Sequence, residues 1–235
     1  MLGETRKRFH EELGALEREI ASEGELAESA LARSMEALVR KDSALAKQVI
    51  ADDDQVDAKY IDVERRVIDL LAMQTPVARD LRLVSAMMHI NMHLERMGDM
   101  AVNIAKIAQA TRDLPTDATV LSHIEEMGDI SRRMVRTAID AFIRRDLELC
   151  LALHRMDDPV DELNRGMYLE VLRLASDPRL LEWGIQMHMV SRQLERVGDN
   201  AVDIGEQVGF LLTGEFREFT DASHPSEERL GDTHG

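Results

Sequence analysis

The sequence is poor in cysteine, proline and aromatic residues, and each shortage excludes a class of protein. Its 235 residues include one cysteine, Cys150, so an internal disulfide is impossible. Five prolines and few aromatic residues (one Trp, two Tyr and five Phe) argue against a β-sheet protein, because strands favour aromatic and β-branched side chains. Ala, Leu, Met, Glu and Arg are common and favour helices. The composition therefore predicts an all-α protein.

Long apolar runs and an excess of basic residues are also missing. No run approaches the ~20 apolar residues that cross a bilayer, and the N-terminus lacks the apolar core of a signal peptide, so we expect a cytoplasmic protein. The 29 Lys and Arg stand against 45 Asp and Glu, for a formal net charge of -16. This charge disfavours nucleic acid and unassisted docking on anionic lipid, so contact with a membrane is expected only through partners. It is compatible with cation binding.

A stretch of twelve residues occurs twice, 100 residues apart. LERMGDMAVNIA begins at Leu94 and LERVGDNAVDIG at Leu194, with eight identical positions. A second match joins MEALVRKD, which ends at Asp42, to IDAFIRRD, which ends at Asp146. Both aspartates are predicted helix N-caps. The two matches indicate that one structural unit is duplicated.

Apolar residues at helical spacing predict three helices in each copy of the unit. Their predicted bounds are about 5–40, 43–73, 76–110, 117–145, 147–177 and 178–213. Short connections make neighbouring helices antiparallel, so we expect two tandem three-helix bundles, residues 5–112 and 116–213. Residues 214–235 have little apolar content and are predicted to be a disordered tail.

Acidic residues recur four apart on four of the predicted helices, a spacing that places them one turn apart on one face. The pairs are Asp53 and Asp57, Glu95 and Asp99, Asp157 and Asp161, and Glu195 and Asp199, with Asn103 and Asp203 one turn beyond the pairs on the third and sixth helices. Small residues such as Gly98 and Gly198 run beside these rows and allow close helix packing.

Antiparallel packing would bring the two acidic pairs of each half together. Like charges repel, and desolvation adds to their cost, so a bound cation would stabilise them. Oxygen ligands suit magnesium, manganese, calcium or iron. The alternative is an ordinary solvated acidic face, paired with basic residues such as Arg96 and Arg196.

Other candidate sites are weaker. His89 and His93 have a spacing seen in zinc sites, but they lie away from the carboxylate row and have no counterpart in the second half, so we expect packing or surface roles. Cys150 lies in the apolar run LELCLAL and is predicted to be a core residue. The sequence contains no E-x-x-H, H-E-x-x-H, G-x-S-x-G or P-loop motif, so we do not expect an enzyme.

The segment QTPVARDLR at 74–82, followed by HLERMGDMAVNIA at 93–105, resembles the PhoU family, and the similarity extends over residues 5–213. The second half keeps the E-R-x-G-D motif but has SDPRLLEWG in place of the lead-in. The resemblance implies two PhoU bundles related by pseudo-twofold symmetry, in a protein that is often a homodimer. It also implies a negative regulator of the phosphate-starvation response, acting between a phosphate ABC transporter, through its ATPase subunit, and a sensor histidine kinase.

Some members of the PhoU family carry clusters of iron, zinc or other metals on E(D)-x-x-x-D motifs. By resemblance those motifs fall on the four acidic pairs above, with Asn103 and Asp203 following in register. Three functions are compatible with these residues: a regulatory adaptor, a metal-dependent phosphohydrolase and a metal store. The adaptor is favoured because a general base and a phosphate-binding arginine fork are not evident.

Overall fold

The computed structural model describes the backbone of residues 2–73 and 76–215, with side chains from residue 6 onward. All regular structure in these ranges is helical, which confirms the predicted all-α class. The helices are α1 (Leu2–Arg40), α2 (Ser43–Met73), α3 (Arg79–Thr111), α4 (Ala118–Arg144), α5 (Leu147–Arg173) and α6 (Pro178–Thr213). From residue 216 onward, the predicted disordered tail lies outside the described residues.

Aspartate side chains cap the second helix of each bundle. Asp42 Oδ1 accepts two backbone N–H groups from the first turn of α2, at 2.9 and 3.0 Å. Asp146 Oδ1 accepts the equivalent pair from α5, at 2.9 and 3.3 Å. The residues before them, Lys41 and Arg145, both adopt the left-handed conformation, with φ of 55° and 56°. Both predicted N-caps are therefore confirmed, and the same turn is built twice.

Two predicted helix boundaries were wrong. We expected α3 to begin near Pro76, but it begins at Arg79 because Ala78 has a φ of 48°, which interrupts the helix. We expected α5 to extend to about residue 177, but it ends at Arg173. Asp177 instead caps α6, accepting backbone N–H groups at 2.9 and 3.2 Å, so the residues between the helices form turns.

Within each bundle the neighbouring helices are antiparallel. Gly98 of α3 lies against Val56 of α2, whereas Asn91, earlier on α3, donates from Nδ2 to the carbonyl of Tyr60, later on α2, at 3.1 Å. The α5 and α6 helices cross in the same way. The predicted pair of three-helix bundles is thus present, with α1–α3 in one and α4–α6 in the other.

The two bundles share one continuous apolar core, because α1 packs on α4 and α3 packs on α6. Gly24 of α1 shows how closely the first pair approaches: a Cβ there would lie 2.5 Å from Ile139 Cδ1 of α4. None of the described helices has the length and apolar character that would let it cross a membrane.

Candidate metal centre

The first carboxylate set consists of Asp53 and Asp57 of α2 with Glu95 and Asp99 of α3. Gly98 lies between Glu95 and Asp99 on α3 and contacts α2. A Cβ added to Gly98 would lie 3.3 Å from Val56 Cγ1 and 3.7 Å from Asp53 Oδ1. Burial raises the pKa of Asp53, and the charges of Asp57 and Asp99 raise it further. Burial also raises the pKa of Glu95, and the charges of Asp99 and Asp57 raise it further. The four acids therefore lie within electrostatic range of one another, as the sequence predicts.

The second carboxylate set, Asp157 and Asp161 of α5 with Glu195 and Asp199 of α6, is packed more tightly. The Asp157 side chain lies directly over Gly198, where a Cβ would collide with its Oδ1. Burial, then Asp161, Asp199 and Glu195, raise the pKa of Asp157 to about 7. Desolvation, followed by the charges of Glu195 and Asp161, raises the pKa of Asp199 to about 6, although Asp199 is an exposed residue.

The buried and exposed acids of the second set differ in their partners. Asp161 lies 3.3 Å from Arg165, and Glu195 Oε1 lies 3.4 Å from Arg192, in pairs whose arginines are exposed. Such pairs contribute little to stability. In contrast, Asp157 Oδ1 and Glu195 Oε2 are buried and have no hydrogen-bond partner in the structure. The solvated-face interpretation thus accounts for the outer atoms of this set but not for these two inner oxygens.

The chemistry of both sets fits a hard cation, since every donor is a carboxylate. The second set adds two buried oxygens without a hydrogen-bond partner, Asp157 Oδ1 and Glu195 Oε2. The fit is incomplete in one respect. Among the side chains that the structure describes, no three Asp, Glu, His or Cys residues are already arranged to hold a metal ion. Binding would require some of these side chains to turn towards the ion. The predicted metal site therefore stays a prediction, to be tested by metal analysis.

The two residues that extend the rows have different surroundings. Asn103 is partly buried on α3, one turn after Asp99. Asp203 is about half exposed, and its Oδ2 lies 3.6 Å from Nδ1 of His93, which projects from α3 towards α6. The same His93 nitrogen lies 2.7 Å from Oδ1 of Asn200. His93 therefore links the two bundles, and desolvation lowers its pKa because the ring is buried. The packing role predicted for it agrees with this position.

One acidic residue near the first set was missed by the sequence analysis. Glu23 of α1 is fully buried, and neither of its carboxylate oxygens has a hydrogen-bond partner. Burial raises its pKa to about 8, with Lys59 opposing and Glu95 adding to the rise. The available signal was its position among apolar residues at helical spacing, where a glutamate is unusual. The second half has a methionine at the equivalent position, Met127, so the repeat that identifies the acidic pairs does not identify Glu23.

The chain is similar to known proteins across both of its bundles. The family model described as the PhoU domain matches residues 20–108 and 124–208, which are the two bundles. The phosphate-specific transport system accessory protein PhoU homolog of Caulobacter vibrioides is 35% identical over 92% of this chain and 94% of that protein. The crystal structure of PhoU from Pseudomonas aeruginosa has a TM-score of 0.84 and 30% identity, covering 88% of this chain and all of that one. The PhoU structure from Streptococcus pneumoniae has a TM-score of 0.81 and 26% identity.

Proposed function

Because this chain belongs to the PhoU family, whose model matches both of its bundles, we propose that it is a negative regulator of the phosphate-starvation response and a modulator of phosphate uptake. The single observation that carries this proposal is similarity over nearly the full length to proteins named as accessory components of phosphate-specific transport. The proposed mechanism is that of an adaptor. The helical body contacts the ATPase subunit of a phosphate ABC transporter and a sensor histidine kinase, and keeps the kinase silent when phosphate is plentiful.

Exposed apolar residues on α5 and α6 support a role in protein contacts. Tyr168, Leu169 and Leu172 on α5 are 59%, 60% and 49% exposed, and Ile185 and Met189 on α6 are 50% and 48% exposed. Apolar side chains grouped on a surface are typical of protein-binding sites. We assign this α5–α6 face to partner binding within the adaptor mechanism. We also propose that the protein acts in the cytoplasm as a homodimer and that it does not bind nucleic acid.

The two carboxylate sets give the adaptor its proposed metal sites. Iron, zinc, manganese or magnesium bound between the paired helices would neutralise acids whose pKa values are raised by burial and mutual repulsion. In this proposal the metal organises the surface of each bundle and carries out no reaction, so the protein is not an enzyme. Asn103 and Asp203 would supply further oxygen ligands at the ends of the rows.

A gene deletion tests the regulatory role. Loss of the protein should raise expression of a phosphate-starvation reporter in phosphate-rich medium, and the wild-type gene supplied in trans should restore repression. A variant with Leu169→Glu and Leu172→Glu should fold but fail to restore it, because charges would occupy the proposed contact face. The matched control is Arg155→Glu, an exposed position on the same helix more than three turns before the apolar residues. Unchanged reporter expression in the deletion strain would exclude the proposed function.

A further inference from the structure

The buried glutamate of α1 distinguishes the first bundle from the second. Glu23 lies on the core face of α1 between Ile20 and Ala27, which are also fully buried. The residue at the equivalent position 104 residues later is Met127, likewise fully buried. The fold does not need a carboxylate at this position, because the second bundle has a methionine there. Burying an unpaired ionised carboxylate costs several kcal/mol. A specific partner for Glu23 would explain the difference.

A second unpartnered group accompanies Glu23. Asn91 of α3 is fully buried, and while its Nδ2 is hydrogen-bonded, its Oδ1 has no partner. The equivalent residue in the second bundle is Ser191, which donates to Asn164 Oδ1 at 3.0 Å. The second bundle thus pairs its polar atoms at this position. The first bundle leaves three buried oxygens, two from Glu23 and one from Asn91, without a hydrogen bond.

The internal repeat places Glu23 and Asn91 at the same level of the first bundle. In the second bundle the Ser131 hydroxyl donates to the carbonyl of Leu194 at 3.1 Å, which fixes where α4 meets α6. The equivalent residues are Ala27 of α1 and Leu94 of α3. Glu23 lies one turn before Ala27, and Asn91 lies about one turn before Leu94. Because α1 and α3 are parallel, Glu23 and Asn91 lie at the same level.

Charge at this level is also unbalanced. Burial is the main cause of the raised pKa of Glu23, and the charge of Glu95 adds to it. The pKa of Tyr60 is raised by burial, then by Glu64, and then by Glu95 and Glu23. The charge of Lys59 opposes the rise in the Glu23 pKa, but the Lys59 ammonium donates a hydrogen bond to Glu19 Oε2 at 2.8 Å. Among the described residues, no ammonium or guanidinium group is therefore bound to the fully buried Glu23 carboxylate, to the buried Asn91 amide oxygen or to the partly buried Glu95.

We propose that Glu23, Asn91 and Glu95 form an interior site for a hard divalent cation, present in the first bundle and missing from the second. Carboxylate and amide oxygens are the ligands that magnesium, manganese and calcium prefer, and two carboxylates balance the charge of one such ion. Glu95 stands at the boundary between this interior site and the outward-facing acids of the first carboxylate set. The interior site goes beyond the regulatory function proposed above and does not depend on it.

Manganese binding to the full chain tests the interior site separately from the two carboxylate sets. In the parent variant every acid of the two carboxylate sets except Glu95 is neutralised, by Asp53→Asn, Asp57→Asn, Asp99→Asn, Asp157→Asn, Asp161→Asn, Glu195→Gln and Asp199→Asn. Equilibrium dialysis, with electron paramagnetic resonance to count free Mn²⁺, should show one ion still bound per chain. Adding Glu23→Gln should abolish that binding. A parent that binds no Mn²⁺, or a Glu23→Gln variant that binds as much as its parent, would overturn the proposal.

A second measurement uses the chain with both carboxylate sets intact. Glu23→Met copies the residue of the second bundle, so it should fold and should raise Tm without metal, because an unpaired buried acid is gone. It should also lose one of the Mn²⁺ ions that the unmodified chain binds. Glu25→Gln, an exposed neighbour on α1, is the matched control and should behave as the unmodified chain. If Glu23→Met raises Tm but binds the full number of ions, Glu23 is merely a protonated core residue and the interior site is excluded.

Discussion

Replacing Asp157 with asparagine should stabilise the metal-free protein, and the size of the effect follows from its surroundings. The side chain is 7% exposed, Oδ1 has no hydrogen-bond partner, and burial with three neighbouring acids raises its pKa from 3.8 to about 7. Because the folded state holds the proton more tightly than the unfolded state, folding stability falls as the pH rises from about 4 to about 7 and then levels off. A difference of about 3 pKa units corresponds to at most about 4 kcal/mol.

Asparagine cannot ionise, so Asp157→Asn should not show this loss. Urea unfolding in the presence of a chelator should give nearly equal free energies for variant and wild type at pH 4, and a variant more stable by about 2–4 kcal/mol at pH 8. Glu162→Gln, an exposed acid on the same helix that is not among the groups acting on Asp157, is the matched control and should change little at either pH. A variant that is less stable than wild type at pH 8, or a difference independent of pH, would refute the view that Asp157 is a destabilising ionised group.

Two further predictions concern the helices themselves. Gly198→Ala should lower the free energy of unfolding by about 1–3 kcal/mol because its Cβ would collide with Asp157, whereas Gly166→Ala on α5 should raise it by up to about 1 kcal/mol, since nothing lies within 4 Å of the added carbon. Equal urea midpoints for these two variants would show that α5 and α6 are not in close contact at Gly198. Asp42→Ala and Asp146→Ala should each lower the free energy of unfolding by about 1 kcal/mol, because each removes two N-cap hydrogen bonds. Thermal unfolding measures the change, with Asp54→Ala as an exposed control. An unchanged Tm in both variants would contradict the capping role of these aspartates, and a change in only one would contradict the equivalence of the two turns.

The features that sequence predicted well are local and repeated. The N-cap roles of Asp42 and Asp146 were predictable because each aspartate stands in a short polar connection just before an apolar helical repeat. The two aspartates are 104 residues apart in matching segments, so each assignment supports the other. The start of α3 failed because Pro76 permits a helix without requiring one, and the left-handed Ala78 delays it to Arg79. Alanine rarely adopts the left-handed conformation, so the sequence does not predict it at this position.

The parts of the site that sequence did not predict depend on contacts between distant residues. Spacing placed the acidic pairs on helix faces, and the structure then brought α2 onto α3 and α5 onto α6. Spacing could not show that Asp157 would be buried while Asp99 would remain exposed. The contact of His93 with Asn200 joins residues 107 apart and needs the packing of one bundle on the other. Glu23 is likewise noticed only when its burial and missing partners are known.

The central claim is that the paired carboxylates of each bundle hold metal. Its most direct test is elemental analysis of the protein purified without chelator or metal-affinity resin, compared with a Glu95→Gln and Asp99→Asn variant and with a variant carrying the equivalent changes at Glu195 and Asp199. Bound metal should be present in the wild type and reduced in each variant. The circular dichroism spectrum of each variant should match that of the wild type, which shows that the fold is unchanged. Wild-type protein free of metal, or variants with the same metal content as the wild type, would contradict the account.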